Sequence, residues 1–293
     1  MMRAIFRFLL LGFLMSACAN APAQDLGASL ATAAPAAGVA TDAAQTDAAQ
    51  TAVAQTPAIQ VPRRPGRMIT EAAPAHLMVI GDSLSQGFAD ALRARAAERG
   101  LALRVTNRGR VSTGLARVDY YDWPTNFVTL AAAEKPDIVV GHFGANDMQG
   151  VTRPGNRASY GSEGWAAAYR AEARRILATA AENGAVMMWL GPAPDGNAAL
   201  GRHMKMIPPL FQAEAEAAGA LYLPLAAFTS GPEGQYVTAV ELGGQMTTIR
   251  TGDGSHFNGT GYRLVADRIL DALVSRYPDL QPAKADTLAA ALQ

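Results

Sequence analysis

Ser83 sits in the block Gly81-Asp82-Ser83-Leu84, between a short apolar run and the start of a helical pattern. A hydroxyl there lies at a helix amino end, where unpaired backbone N–H groups favour developing negative charge. Serine is a weak nucleophile until a base takes its proton, and an imidazole base needs an acceptor to fix its tautomer. Far downstream, Asp253-Gly254-Ser255-His256 offers both on one loop, in a chain with only four histidines. Between them, Gly144-Ala145-Asn146-Asp147 supplies an uncharged amide donor suited to an oxyanion, beside a glycine that lets backbone approach closely. Ser112-Thr113-Gly114 adds the Gly114 N–H as a further donor, with Gly109 as its rival. Together these are parts for acyl transfer through a serine. Each has a plain alternative: Asp82 or Ser83 as a helix N-cap, His256 as a loop histidine bonded to backbone, Asn146 in an ordinary Asn-Asp turn. The elbow G-x-S-x-G of another hydrolase fold is not met, because Ser85 fills its last position.

The elements that must position these residues alternate strand and helix. Apolar runs at 77–80, 101–105, 137–140, 186–190 and 221–225 read as strands. Helical patterns run over 86–99, 126–134, 165–182, 204–218 (with two prolines near its start) and 261–277. This alternation implies a three-layer α/β/α sandwich with a mainly parallel, flavodoxin-like sheet. Sites in such sheets lie beyond the carboxyl ends of the strands, which is where the serine, Gly114 and asparagine blocks fall.

Taken in order, Gly81-Asp82-Ser83-Leu84, Gly114, Gly144-x-Asn146-Asp147 and Asp253-x-x-His256 resemble the four signature blocks of SGNH (GDSL-type) hydrolases. The stretches Ser112-Thr113-Gly114-Leu115, Tyr121-Asp122-Trp123-Pro124 and Asp253-Gly254-Ser255-His256-Phe257 resemble the exported bacterial DUF459 subgroup. The resemblance implies Ser83 as nucleophile, His256 as base and Asp253 as its partner. It implies an oxyanion hole made by the Ser83 N–H, the Gly114 N–H and the Asn146 side chain, with no cofactor. The implied activity is that of an exported carboxylic ester hydrolase acting on acylated carbohydrate of the cell envelope, O-acetyl esters foremost. The alternatives are an O-acetyltransferase with the same triad and a non-catalytic polysaccharide-binding scaffold.

Composition narrows the classes. The 25 Lys+Arg balance 25 Asp+Glu, so no basic field points to nucleic acid. The single cysteine, Cys18, excludes an internal disulfide framework and any multi-thiolate metal site. Residues 1–18 read as a signal peptide: Arg3 and Arg7 precede an apolar run of ten residues, too short to span a bilayer. The run ends Leu14-Met15-Ser16-Ala17-Cys18, which resembles a lipobox with Met15 where Leu, Val or Ile is usual. Cys18 is the expected lipidation site; cleavage after Ala21-Pro22-Ala23 is the alternative. Residues 19–67, rich in Ala, Thr, Gln and Pro, repeat the pentapeptide 41–45 at 46–50 and present no buried face. They read as a disordered tether, followed by a hydrolase domain over 68–280 and a tail over 281–293. The expected location is the periplasm or cell envelope, lipid-anchored through Cys18 or otherwise secreted.

Four further features enter with two readings each. His142, inside a strand, is expected to be a hydrogen-bonded core residue rather than a second base. His76 and His203 have no carboxylate or cysteine at ligand spacing, so no metal site is read. Tyr120, Tyr121 and Trp123 cluster in an expected surface loop, to stack on a sugar or to pack the domain edge. Residues 148–164, with four glycines and a proline, read most simply as disordered, or else as shaping access to the site.

Overall fold

The computed structural model describes residues 68–281. The signal peptide, Cys18, the tether and nearly all of the tail lie outside the described residues. Five strands, β1 (Ala75–Gly81), β2 (Leu103–Asn107), β3 (Ile138–His142), β4 (Val186–Gly191) and β5 (Leu221–Pro224), form one parallel sheet in the order β2-β1-β3-β4-β5. Residues of β1 alternate between two cores, as a sheet covered on both faces requires. Leu77 and Val79 join the core with helices α1 (Ser83–Glu98) and α7 (Gly259–Arg276). Met78 and Ile80 join the opposite one, with α2 (Trp123–Glu134), α3 (Trp165–Glu182) and α5 (Pro208–Ala217). The expected three-layer sandwich is what forms.

Strand order reverses between β1 and its neighbours β2 and β3. A crevice opens at such a switch point, beyond the carboxyl ends of the strands. Ser83 begins the helix that leaves β1, so the fold delivers it to that crevice.

Several element boundaries differ from those expected. α2 starts three residues early, at Trp123, because Asp122 caps it: the carboxylate accepts from the Thr125 N–H at 3.1 Å. The single helix expected over 204–218 is two, α4 (Ala198–Met206) and α5, since Pro208 and Pro209 cannot continue the ladder of the preceding turn. Asn197 caps α4, accepting from the N–H groups of Ala199 and Leu200, both at 3.0 Å. A short helix α6 (Ala226–Thr229) and an antiparallel hairpin, β6 (Ala239–Leu242) and β7 (Gln245–Thr248), precede the loop that carries Asp253 and His256. Residues 148–164 are pinned rather than loose. Val151 bridges Ala158, and Arg153 ties the segment to Asp122 at 2.7 Å and to the buried Glu172 at 2.6 Å. Among the described residues no helix is long and apolar enough to cross a membrane.

Candidate active site

Asp82 caps α1, its Oδ1 accepting from the Leu84 N–H at 3.0 Å. This leaves Ser83 as the first helical residue, half-buried, with its N–H unused by the helix ladder. The N-cap alternative and the nucleophile reading are therefore compatible: the aspartate caps and the serine points outward. Gly81 makes the turn possible. Its φ is +129°, and a Cβ there would lie 1.9 Å from the His142 carbonyl oxygen.

Ser83 Oγ lies 2.9 Å from His256 Nε2, across 173 residues of sequence. On the far side of the ring, Asp253 Oδ2 is 2.7 Å from His256 Nδ1. An ionised carboxylate only accepts, so the ring proton sits on Nδ1 and Nε2 is left to accept from the serine hydroxyl. Asp253 Oδ1 accepts from the backbone N–H groups of His256 and Ser255, both at 2.9 Å, and from Thr251 Oγ1 at 2.7 Å. These bonds, the two backbone donors foremost, hold the Asp253 carboxyl well below the usual carboxylate range.

Two of the expected oxyanion donors, Gly114 and Asn146, lie beside a buried carboxylate, Asp147, to which the sequence assigned no role. Asn146 Nδ2 donates to the Thr113 carbonyl at 2.9 Å, which puts its amide beside Gly114 and leaves a second N–H to give. Asp147, fully buried, accepts from the Ala116 N–H at 2.8 Å and from Tyr169 Oη at 2.7 Å. A Cβ on Gly114 would lie 2.1 Å from Asp147 Oδ1. The position needs glycine because this carboxylate presses against it. Burial raises the pKa of Asp147, and burial together with that carboxylate raises Tyr169 well above the ordinary phenol value. Gly109, the rival donor, has its N–H committed to Asn107 Oδ1 at 3.0 Å, which leaves Gly114 as the candidate.

The remaining histidines are structural. His142 is buried, as expected, with Nδ1 3.2 Å from Oδ1 of Asp82, the residue before Ser83. His203 reaches the Gly144 carbonyl at 3.2 Å and Tyr160 Oη at 3.1 Å, and burial lowers its pKa. His76 bonds Thr106 Oγ1 at 2.8 Å and the Glu134 carbonyl at 3.1 Å. Trp123 is not on a surface loop: it is wholly buried, and its Nε1 donates to Thr113 Oγ1 at 2.8 Å. Tyr121 is half-buried and packs edge-on against it, and Tyr120, 61% exposed, is the most open of the three aromatics.

These blocks, in this order on this sheet, coincide with the match of the family model described as "Protein of unknown function (DUF459)", which covers residues 76–272. The chain belongs to the DUF459 family. That match holds every residue of the site, from Ser83 to His256. Among solved structures, the acetyl xylan esterase AlAXEase shares the fold, with a TM-score of 0.50 and 17% identity over 68% of this chain and 99% of that one. A carbohydrate acetylesterase family member from Sinorhizobium meliloti is 14% identical over 71% of this chain and 100% of that chain, with a TM-score of 0.49. A search of curated proteins found no match. The DUF459 pattern expected from the sequence blocks is thus the family found, and the acetyl xylan esterase shares its fold.

Proposed function

We propose that this DUF459 protein is an exported serine esterase that removes acyl groups, O-acetyl groups foremost, from cell-envelope carbohydrate. One observation carries the catalytic part: the unbroken relay from Ser83 Oγ through the His256 ring to Asp253, at 2.9 and 2.7 Å. Ser83 attacks the ester carbonyl while His256 Nε2 takes its proton. Asp253 stabilises the imidazolium, and the N–H groups of Ser83 and Gly114 with the Asn146 amide hold the oxyanion. The imidazolium then protonates the leaving alcohol. Water, deprotonated by the same base, frees the acyl group and restores the serine.

The substrate class follows acetyl xylan esterase, which shares the fold, and the reading of residues 1–18 as a signal peptide with Cys18 as lipidation site. A tether over 19–67 would let the catalytic domain reach polymers on the order of 40 Å from a membrane anchor. The test is fluorophosphonate labelling and acetate release from isolated envelope polymers, on wild type and Ser83→Ala. Wild type is expected to label and to release acetate, and Ser83→Ala to do neither while keeping its fold. Near-normal turnover in a folded Ser83→Ala protein removes the serine from the mechanism.

A further inference from the structure

We propose that Arg250 and Asp195 are positioning residues that strap the loop bearing His256 onto the loop after β4, an assignment that rests on the triad proposed above. Arg250 is 4% exposed. Its hydrogen bonds go to two carbonyl oxygens on separate segments: Nη1 donates to Ser255 at 2.9 Å and Nη2 to Pro194 at 3.0 Å. The guanidinium lies 4.0 Å from the centre of the Phe257 ring and 5.4 Å from that of Tyr236. Asp195, also buried, takes the Ser255 hydroxyl on Oδ2 and the Asn197 N–H on Oδ1 at 2.7 Å. The Gly196 N–H completes the seam, donating to the Gly254 carbonyl at 2.9 Å.

Burying a cation is expensive, and an apolar side chain would fill the space over Phe257 without that cost. What the apolar side chain could not do is hold a peptide plane. The peptide between Ser255 and His256 has its C=O bonded to Arg250 and its N–H bonded to Asp253. With both polar atoms fixed, the plane cannot rotate, and the direction in which His256 leaves the backbone is set. No strand of the main sheet supplies this residue, so the two side chains take over the work that β1 and β3 do for Ser83 and Asn146. The guanidinium suits the task because its fork reaches two acceptors in one plane; an ammonium is a single point.

The experiment compares wild type, Arg250→Lys, Ser255→Ala and Ser83→Ala on one aryl ester. Rates are taken per phosphonate-titrated site, and per mole of protein for Ser83→Ala, and the low-field proton resonance of His256 Nδ1 is recorded on the same samples. Arg250→Lys is expected to lower kcat about 10²-fold, the cost of a misplaced catalytic group, with KM moving less than about threefold and the low-field signal broadened or lost. Ser255→Ala removes only the Asp195 arm and touches no core packing. It is expected to lower kcat on the order of tenfold, as losing a bond to a charged group does, and it reads the strap even if the lysine variant does not fold. Wild-type kcat and an unchanged low-field signal in folded Arg250→Lys, or in Ser255→Ala should the lysine variant not fold, overturn the proposal. Turnover surviving in Ser83→Ala would instead overturn the triad. An inactive Ser83→Ala beside fully active strap variants overturns the strap alone.

Discussion

Ser83 leaves a strand whose seven residues are all buried and enters a helix of sixteen, so its backbone is set by ladder hydrogen bonds on either side. Asp253 and His256 sit on a loop between the β6–β7 hairpin and α7, half exposed in the case of the carboxylate, with no strand of the five-stranded sheet leading directly into them. The loop is held largely by side chains, Arg250, Asp195, Thr251 and Asp253 itself, together with backbone bonds from the Gly196 N–H to the Gly254 carbonyl and from the Thr251 N–H to the His256 carbonyl. One half of the relay is thus fixed by the ladders of a buried strand and a helix, and the other mainly by side-chain hydrogen bonds on a loop. The two halves should fail differently. A change to the backbone turn on the nucleophile side disturbs the fold, whereas a change on the base side can cost activity at little cost in stability.

The largest effect expected from that contrast is at Gly81. Alanine there would need a φ of +129° and would set its Cβ 1.9 Å from a backbone oxygen of the adjacent strand, which cannot move without shifting β3. Gly81→Ala is expected to destabilise the domain by about 3 kcal/mol or more, by strain at a special φ together with overpacking. Thermal denaturation followed by circular dichroism measures it. A Gly81→Ala protein as stable as wild type would mean that the nucleophile side is no more backbone-bound than the base side.

Asn146 stands between the two cases, carried by the end of β3 but acting through its side chain. Asn146→Ala is expected to lower kcat on the order of 10²–10³-fold, the usual loss for one oxyanion donor, with little change in KM. Steady-state kinetics on an aryl ester reads this directly. The expected melting temperature is close to that of wild type, because the bond lost with the side chain, to the Thr113 carbonyl, leaves an acceptor on a loop that Asp147 still holds. A drop in stability with turnover intact would make Asn146 a structural residue.

The same contrast separates what the sequence discloses from what it withholds. The β1 run, the Gly81-Asp82-Ser83-Leu84 junction and the order of the four blocks were legible because a buried parallel strand reads as a continuous apolar run and the site follows strand ends. Residues that act across long sequence distances were not. Asp147 looked like a turn residue because its partners, Ala116 and Tyr169, lie 31 and 22 positions away. Arg250 gave no signal at all, since a lone arginine before a loop reads as a surface charge. The break at Pro208 was foreshadowed by the two prolines, and the hairpin by Gly243-Gly244 between two short β-prone runs; both glycines take positive φ, as a two-residue hairpin turn requires. Trp123 was placed at the surface because the Asp122 cap, which draws it into the first turn of a buried helix, was not recognised.

The smallest effect is electrostatic and lies on the base side. Asp253 is held below the usual carboxylate range chiefly by the backbone N–H of His256, then by that of Ser255. A carboxyl whose pKa is lower folded than unfolded stabilises the native state above the unfolded value, near 4, and that contribution drains away as pH falls toward the folded value. Asp253→Asn keeps the shape and removes the titration. The variant should therefore melt slightly below wild type at pH 7. That gap should hold down to about pH 5, and then narrow steadily as acid protonates the unfolded chain's carboxyl first and the native one last. The effect is small because the carboxylate is half exposed and water screens it. Melting curves of the two proteins from pH 7 to pH 3 decide the matter. A gap that stays constant over that range would mean the Asp253 bonds matter for their geometry alone, and a gap that widens in acid would reverse the sign assigned here.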